Sequence, residues 1–173
     1  SNKDVDVSDG AYSTSKKKIV YAGFETWKRQ RHYLDKDVKN MYQRLEKLLP
    51  GTEIKITDRD SSERKFILKT FTDRNPETFY LYTRTTNELV KLSDINPPFT
   101  ESEMCEMKPI SYKTRDGLII NGYLTLPKEG AERKVPVVVM PHGGPSSRNS
   151  WGYNAEVQFL ANRGYAVFQM NFR

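Results

Sequence analysis

A six-residue apolar run, Val135-Pro-Val-Val-Val-Met140, leads directly into Pro141-His-Gly-Gly-Pro145, and no other feature of the chain restricts its fold as much. An uninterrupted apolar run suits a strand covered on both faces, whereas a strand with one wet face alternates. Pro136 is expected at the start of that strand, where it costs no ladder hydrogen bond. Beyond the loop, Val157, Leu160 and Ala161 recur at helical spacing within Asn154 to Arg163, Gly164 suits the position after a helix end, and Tyr165 to Phe172 reads as a second buried strand. Strand, helix and strand in this order predict a βαβ unit in a sheet with parallel neighbours.

Ahead of the apolar run, Ile110 to Thr114 and Leu118 to Leu126 read as two strands joined by Arg115-Asp116-Gly117, in which Asp-Gly is a preferred tight-hairpin pair. Asn96-Pro97-Pro98 through Lys108-Pro109 has the composition of a connector, with a short helical turn expected around Glu101 to Met107. The chain therefore divides into a segment 18–96, a linker 97–109 and a segment 110–173. Residues 1–17 are polar and are expected to be disordered or tag-like.

Within 18–96, Lys18 to Gly23 and Arg31 to Leu34 predict short strands. Val38, Met41, Tyr42, Leu45, Leu48 and Leu49 share one helical face over 35–49, with Asp35 as N-cap and Pro50-Gly51 as the stop. Glu53 to Thr57, Lys65 to Phe71, Thr78 to Thr83 and Glu88 to Leu92 then form four β-prone runs separated by turn residues, the pattern of an antiparallel meander. A lone four-stranded sheet leaves an apolar face uncovered. Radial stacking as a β-propeller blade covers it, with the strands before the helix in the adjacent blade. One blade and a fraction do not close a propeller, so the chain is expected to be incomplete.

Composition narrows the function. The 28 basic and 22 acidic residues give a net charge of +6, but the charges are interspersed and no nucleic-acid-binding motif accompanies them, so no nucleic-acid partner is expected. No apolar run reaches the roughly 18 to 20 residues that cross a bilayer, which predicts a soluble segment with no membrane partner. Cytoplasmic location is favoured over periplasmic. The single cysteine, Cys105, excludes an internal disulfide and reads as a small semi-buried residue. His32 and His142 stand apart from any ligand-spaced cluster, so no metal is expected and no cofactor is called for. His32 reads as a surface or packing residue.

The chemistry concentrates at Pro141 to Pro145, after the carboxyl end of the buried strand, where open α/β sheets place their ligand sites. Two successive glycines leave backbone N–H groups unshielded and permit torsions that other residues avoid, so the loop can aim amides at an oxygen. A His-Gly-Gly loop at this place supplies half of an oxyanion hole in α/β-hydrolases. The same residues also suit a plain strand-to-helix turn. The order of hairpin, buried strand, loop, helix and second buried strand favours the first reading.

Ile110-Ser-Tyr-Lys-Thr-Arg-Asp-Gly-Leu118, Gly122-Tyr-Leu-Thr-Leu-Pro127, Pro141-His-Gly-Gly-Pro145, Glu156-Val-Gln-Phe-Leu-Ala-Asn-Arg-Gly-Tyr-Ala-Val167 and Asn171-Phe-Arg173 resemble the prolyl oligopeptidase family of serine peptidases, in its acylaminoacyl-peptidase-like branch. The likeness is dense from Pro109 onward and looser before it. It implies the N-terminal portion of an α/β-hydrolase domain, a mixed sheet with a βαβ unit, preceded by the last blade or blades of a β-propeller. It also implies a Ser, Asp, His triad in that chain order. No Gly-x-Ser-x-Gly occurs in the sequence, so the nucleophile is expected beyond Arg173 and the chain alone is expected to be inactive. The resemblance gives His142, Gly143, Gly144 and Pro145 to the oxyanion loop, with the Gly144 N–H as the favoured donor, and makes His142 no catalytic base. Arg148, Trp151 and Tyr153 follow the loop, and pocket-lining and structural roles are both open for them. The implied partner is a peptide substrate, and homo-oligomerisation stays open. Two other readings stand beside this one: a non-catalytic peptide-binding or interaction module, if the natural chain ends here, and an esterase of the same fold.

Overall fold

A computed structural model describes residues 5–95, 100–129, 134–144 and 146–171. The chain falls into two compact units, Ser1–Thr72 with Glu77–Pro97, and Asp73–Pro76 with Pro98–Arg173.

In the first unit, Val7–Ser13 (β1), Lys18–Glu25 (β2) and Arg29–Tyr33 (β3) form an antiparallel sheet in sequential order. The first strand corrects the expectation that 1–17 lacks structure, although Ser1 to Asp4 lie outside the described residues. β1 is polar and carries two register irregularities against β2, so its sequence lacks the alternation that marks a strand. Its place comes from backbone pairing and from Ser13 Oγ, which donates to Glu63 Oε2 at 2.6 Å.

The helix α1 covers Lys36–Leu48, and the Asp35 carboxylate accepts from Val38 N–H at 3.0 Å as the expected N-cap. Its buried stripe of Val38, Met41, Tyr42 and Leu45 joins Val20, Leu49, Ile54, Phe66, Leu68 and Tyr82 in one core. The last four of these lie on the meander Glu53–Arg59 (β4), Lys65–Phe71 (β5), Thr78–Thr83 (β6) and Glu88–Asp94 (β7), four antiparallel strands in sequential order. On β6 the tyrosine face looks inward: Tyr82 is fully buried and Tyr80 packs against the core.

The second unit begins its regular structure with a 3-10 turn at Glu101–Glu103, capped by Thr100 and Glu103. Asn96 to Phe99 lie outside the described residues. The connector is shorter than 97–109, because Met107–Lys113 already forms β8. Pro109 is tolerated within it because β8 is, among the described residues, the last strand of its sheet and offers a side where no N–H is needed. Ile119–Thr125 (β9) pairs antiparallel with β8. The turn between them is longer than a two-residue Asp-Gly hairpin. Thr114 N–H donates to Leu118 O at 2.8 Å, Gly117 N–H donates to Thr114 O at 3.0 Å, and Gly117 takes φ +87°.

Val137–Val139 (β10), the helix Ala155–Ala161 (α2) and Ala166–Met170 (β11) form the expected βαβ unit, with β10 and β11 parallel. The mixed sheet has the order β10-β11-β9-β8. One expectation fails here. β10 is an edge strand among the described residues, not a covered central one, and Val137 and Val139 are 57% and 55% exposed. Its apolar run is suited to neighbours that these residues do not supply. Asn154 caps α2 by accepting from Glu156 N–H and Val157 N–H. Gly164, at φ +89°, lets the chain turn back so that Tyr165 N–H reaches Leu160 O at 3.3 Å. Met107, Tyr123 and Trp151 pack as a small core.

Candidate functional site

The loop between β10 and α2 is fixed at its two ends by the neighbouring strand. On the upstream side Met140 N–H donates to Phe168 O of β11 at 2.8 Å. β11 lies close against β9 because residue 122 is glycine: a Cβ there would sit 2.5 Å from Gln169 O and 2.9 Å from the Phe168 ring. On the downstream side Asn149 N–H donates to Asn171 Oδ1 at 2.7 Å, and Asn171 Nδ2 donates back to Asn149 O at 3.1 Å. Asn149 Nδ2 donates to Met170 O at 2.9 Å, and Gln169 Nε2 reaches Asn149 Oδ1 at 3.4 Å. Asn171 is itself held by β9, its N–H donating to Asn121 O at 2.9 Å.

Between these ends lie the expected oxyanion residues. His142 is half-buried, with Nδ1 2.7 Å from Gly143 O, while Gly143 and Gly144 are exposed. Pro145 lies outside the described residues. Gly143 does not adopt a left-handed φ, and a Cβ on it would meet nothing within 4 Å. The torsional reason expected for glycine therefore does not apply at 143. What glycine contributes there is an unshielded N–H.

The structure separates the three residues expected near a pocket. Arg148 is exposed and Tyr153 half-buried. Trp151 is only 8% exposed and packs with Met107 and Tyr123, its Nε1 donating to Met107 O at 3.3 Å. A ring used in this way is part of the core beneath the loop. Cys105 is fully buried instead of semi-buried, and His32 is exposed on β3.

Sequence reasoning passed over Gln158. It sits at 3% exposure on the inner side of α2, where its Nε2 donates to Cys105 O (2.8 Å) and Asp73 O (3.0 Å) and its Oε1 accepts from Cys105 N–H (2.8 Å). Asp73 in turn accepts Met107 N–H at 2.7 Å. This buried polar hub seats the helix that follows the loop. Among the described residues no group of three or more His, Cys, Asp or Glu side chains is placed to hold a metal ion, and no helix is long and apolar enough to cross a membrane.

No family model matches the sequence. Dipeptidyl aminopeptidase BIII of Pseudoxanthomonas mexicana is 32% identical over 147 residues, which cover 81% of this chain and 21% of that protein. Dipeptidyl peptidase family member 6 of Caenorhabditis elegans is 28% identical over 119 residues, covering 57% of this chain and 16% of that protein. Among solved structures, acylaminoacyl peptidase of Pyrococcus horikoshii superposes with a TM-score of 0.62 at 22% identity, over 97% of this chain and 25% of that one. Prolyl oligopeptidase B of Galerina marginata gives 0.63 at 15% identity, over 99% and 25%. These structural likenesses speak to the fold. The chain thus spans a quarter or less of the length of these relatives.

Proposed function

This chain is a homologue of peptidases of the prolyl oligopeptidase family, and from that premise we propose that it forms part of a serine peptidase that hydrolyses short peptides. In this reading the first unit corresponds to the last blades of a β-propeller, and the second to the opening strands of an α/β-hydrolase domain. The Ser, Asp, His triad lies in sequence beyond residues 1–173. The exposed β10 edge, with Val137 and Val139 uncovered, supports a sheet that continues beyond the strands described.

One observation carries the reading. The His142-Gly143-Gly144 segment, with both glycines exposed, follows the carboxyl end of β10, parallel to β11 and ahead of an N-capped helix, in a chain 32% identical over 147 residues to a dipeptidyl aminopeptidase. In the complete enzyme a histidine-activated serine attacks the peptide carbonyl, and the tetrahedral oxyanion is held by the Gly144 N–H and by one amide next to the nucleophile. Preorganised donors of this kind strengthen their hold as charge develops, so they act on turnover more than on binding. Arg148 and Tyr153 are assigned to the wall of the substrate pocket, with Trp151 supporting the loop from the core.

Gly144→Pro in the complete enzyme removes the N–H. The expected result is a kcat lower by about 100- to 1000-fold with KM within a few-fold of the parent, measured on a short peptide amide. Unchanged kcat would overturn the assignment.

A further inference from the structure

We propose that Asn149 and Asn171 form a positioning clamp that sets the direction of the Gly143 and Gly144 amides. The proposal rests on the oxyanion reading above. Its basis is the reciprocal pair in which Asn171 Oδ1 accepts Asn149 N–H at 2.7 Å while Asn171 Nδ2 donates to Asn149 O at 3.1 Å. A carboxamide offers an acceptor and a donor side by side, so it can satisfy both backbone groups of one residue as a neighbouring strand would. Aspartate keeps only the acceptor, and alanine keeps neither. Asn149 returns a third bond, from Nδ2 to Met170 O at 2.9 Å, so the loop residue and the strand end hold each other through both of their side chains.

The clamp matters because of how open the two glycines are. Gly143 and Gly144 are exposed, and a Cβ at Gly143 would touch nothing. Their orientation depends on where the loop starts, at Met140 bonded to Phe168 of β11, and on where it is tied back, at Asn149 bonded to Met170 and Asn171. Both tethers run to the same strand, Phe168 at one end and Met170 and Asn171 at the other. β11 therefore acts as the reference against which the donor loop is set. An oxyanion donor displaced by about 1 Å loses on the order of 100-fold in rate, so a clamp remote from the reacting atoms can control turnover without touching substrate.

The test uses Asn171→Ala, Asn171→Asp and Gln158→Ala in the complete enzyme, with kcat, KM and melting temperature measured for each. Asn171→Ala is expected to lower kcat by about 30- to 100-fold with KM within about 3-fold, and Asn171→Asp, which retains the acceptor, to fall between it and the parent. Gln158→Ala breaks the buried hub on α2, and is expected to lower the melting temperature while leaving kcat of the folded enzyme near that of the parent. If the alanine variant does not accumulate as folded protein, the aspartate variant carries the test, with an expected loss of about 10-fold in kcat. Parent-like kcat in the Asn171 variants would overturn the clamp, as would a loss that follows melting temperature equally in Gln158→Ala. Gly144→Pro separates the two levels: an inactive Gly144→Pro beside an active Asn171→Ala removes the clamp and leaves the oxyanion reading standing. An active Gly144→Pro removes both.

Discussion

Glu63 collects four hydrogen bonds on one carboxylate at 7% exposure, from Ser13 Oγ, Thr14 N–H, Thr14 Oγ1 and Ser15 Oγ. It does so from a left-handed backbone, φ +51°, that a β4–β5 turn requires of it. Burial alone would push its pKa up, but the bonds from Ser13, Ser15 and Thr14, with Arg59 nearby, outweigh this and hold the pKa at about 2. Because the folded value lies below the ordinary 4.5, the group contributes stability in full above about pH 4.5, and that contribution is lost as pH falls toward 2. Glu63→Gln is expected to cost about 1 to 3 kcal/mol at neutral pH. The gap between variant and parent should close on acidification, as read from urea midpoints across pH. A gap independent of pH would contradict the charge-based explanation. None of this was visible in the sequence, because Glu63 meets partners about 50 positions away and reads locally as one more charge in a turn. The same holds for Gln158, and for Asn149 with Asn171, whose partners are likewise distant in sequence.

At the scale of elements, local signals served well wherever the physics was local. The stripe of α1 apart from Leu48, which is 48% exposed, its Asp35 cap, the four-stranded meander and the βαβ unit were all legible, because periodicity and capping are properties of neighbouring residues. Asp35→Ala removes the cap and also strips Lys16 and Lys18 of a carboxylate at 2.8 and 2.9 Å. About 1 to 2 kcal/mol of stability should go with it, measured by chemical denaturation. The illegible elements were those that depend on neighbours. β1 has no apolar alternation, and the coverage of β10 is decided by what lies beside it. Gly122 also belongs here, since only the close approach of β11 shows why no side chain fits. Gly122→Ala is expected to destabilise the second unit by about 1 to 3 kcal/mol and to weaken protection of the β9–β11 amides against hydrogen exchange. Parent-like stability would mean that the two strands separate more easily than the geometry indicates.

For the whole molecule, the likeness to peptidases runs through both units, yet the chain spans a quarter or less of the relatives' length. The position of the His142 to Gly144 loop after β10 was legible because a glycine pair after an apolar strand is a strong local pattern. The way the loop is held was not, since it needs the strand order β10-β11-β9. In the proposed enzyme the Gly144 amide serves a serine carried elsewhere in the polypeptide. Labelling with a fluorophosphonate, which reacts with activated serines, tests this most directly when the modified residue is located by peptide mapping. The complete polypeptide is expected to be labelled at one serine outside residues 1–173, with labelling lost in Gly144→Pro, while the 173-residue chain alone stays unlabelled. Labelling at one of the chain's own serines, or none in the complete polypeptide, would contradict the assignment.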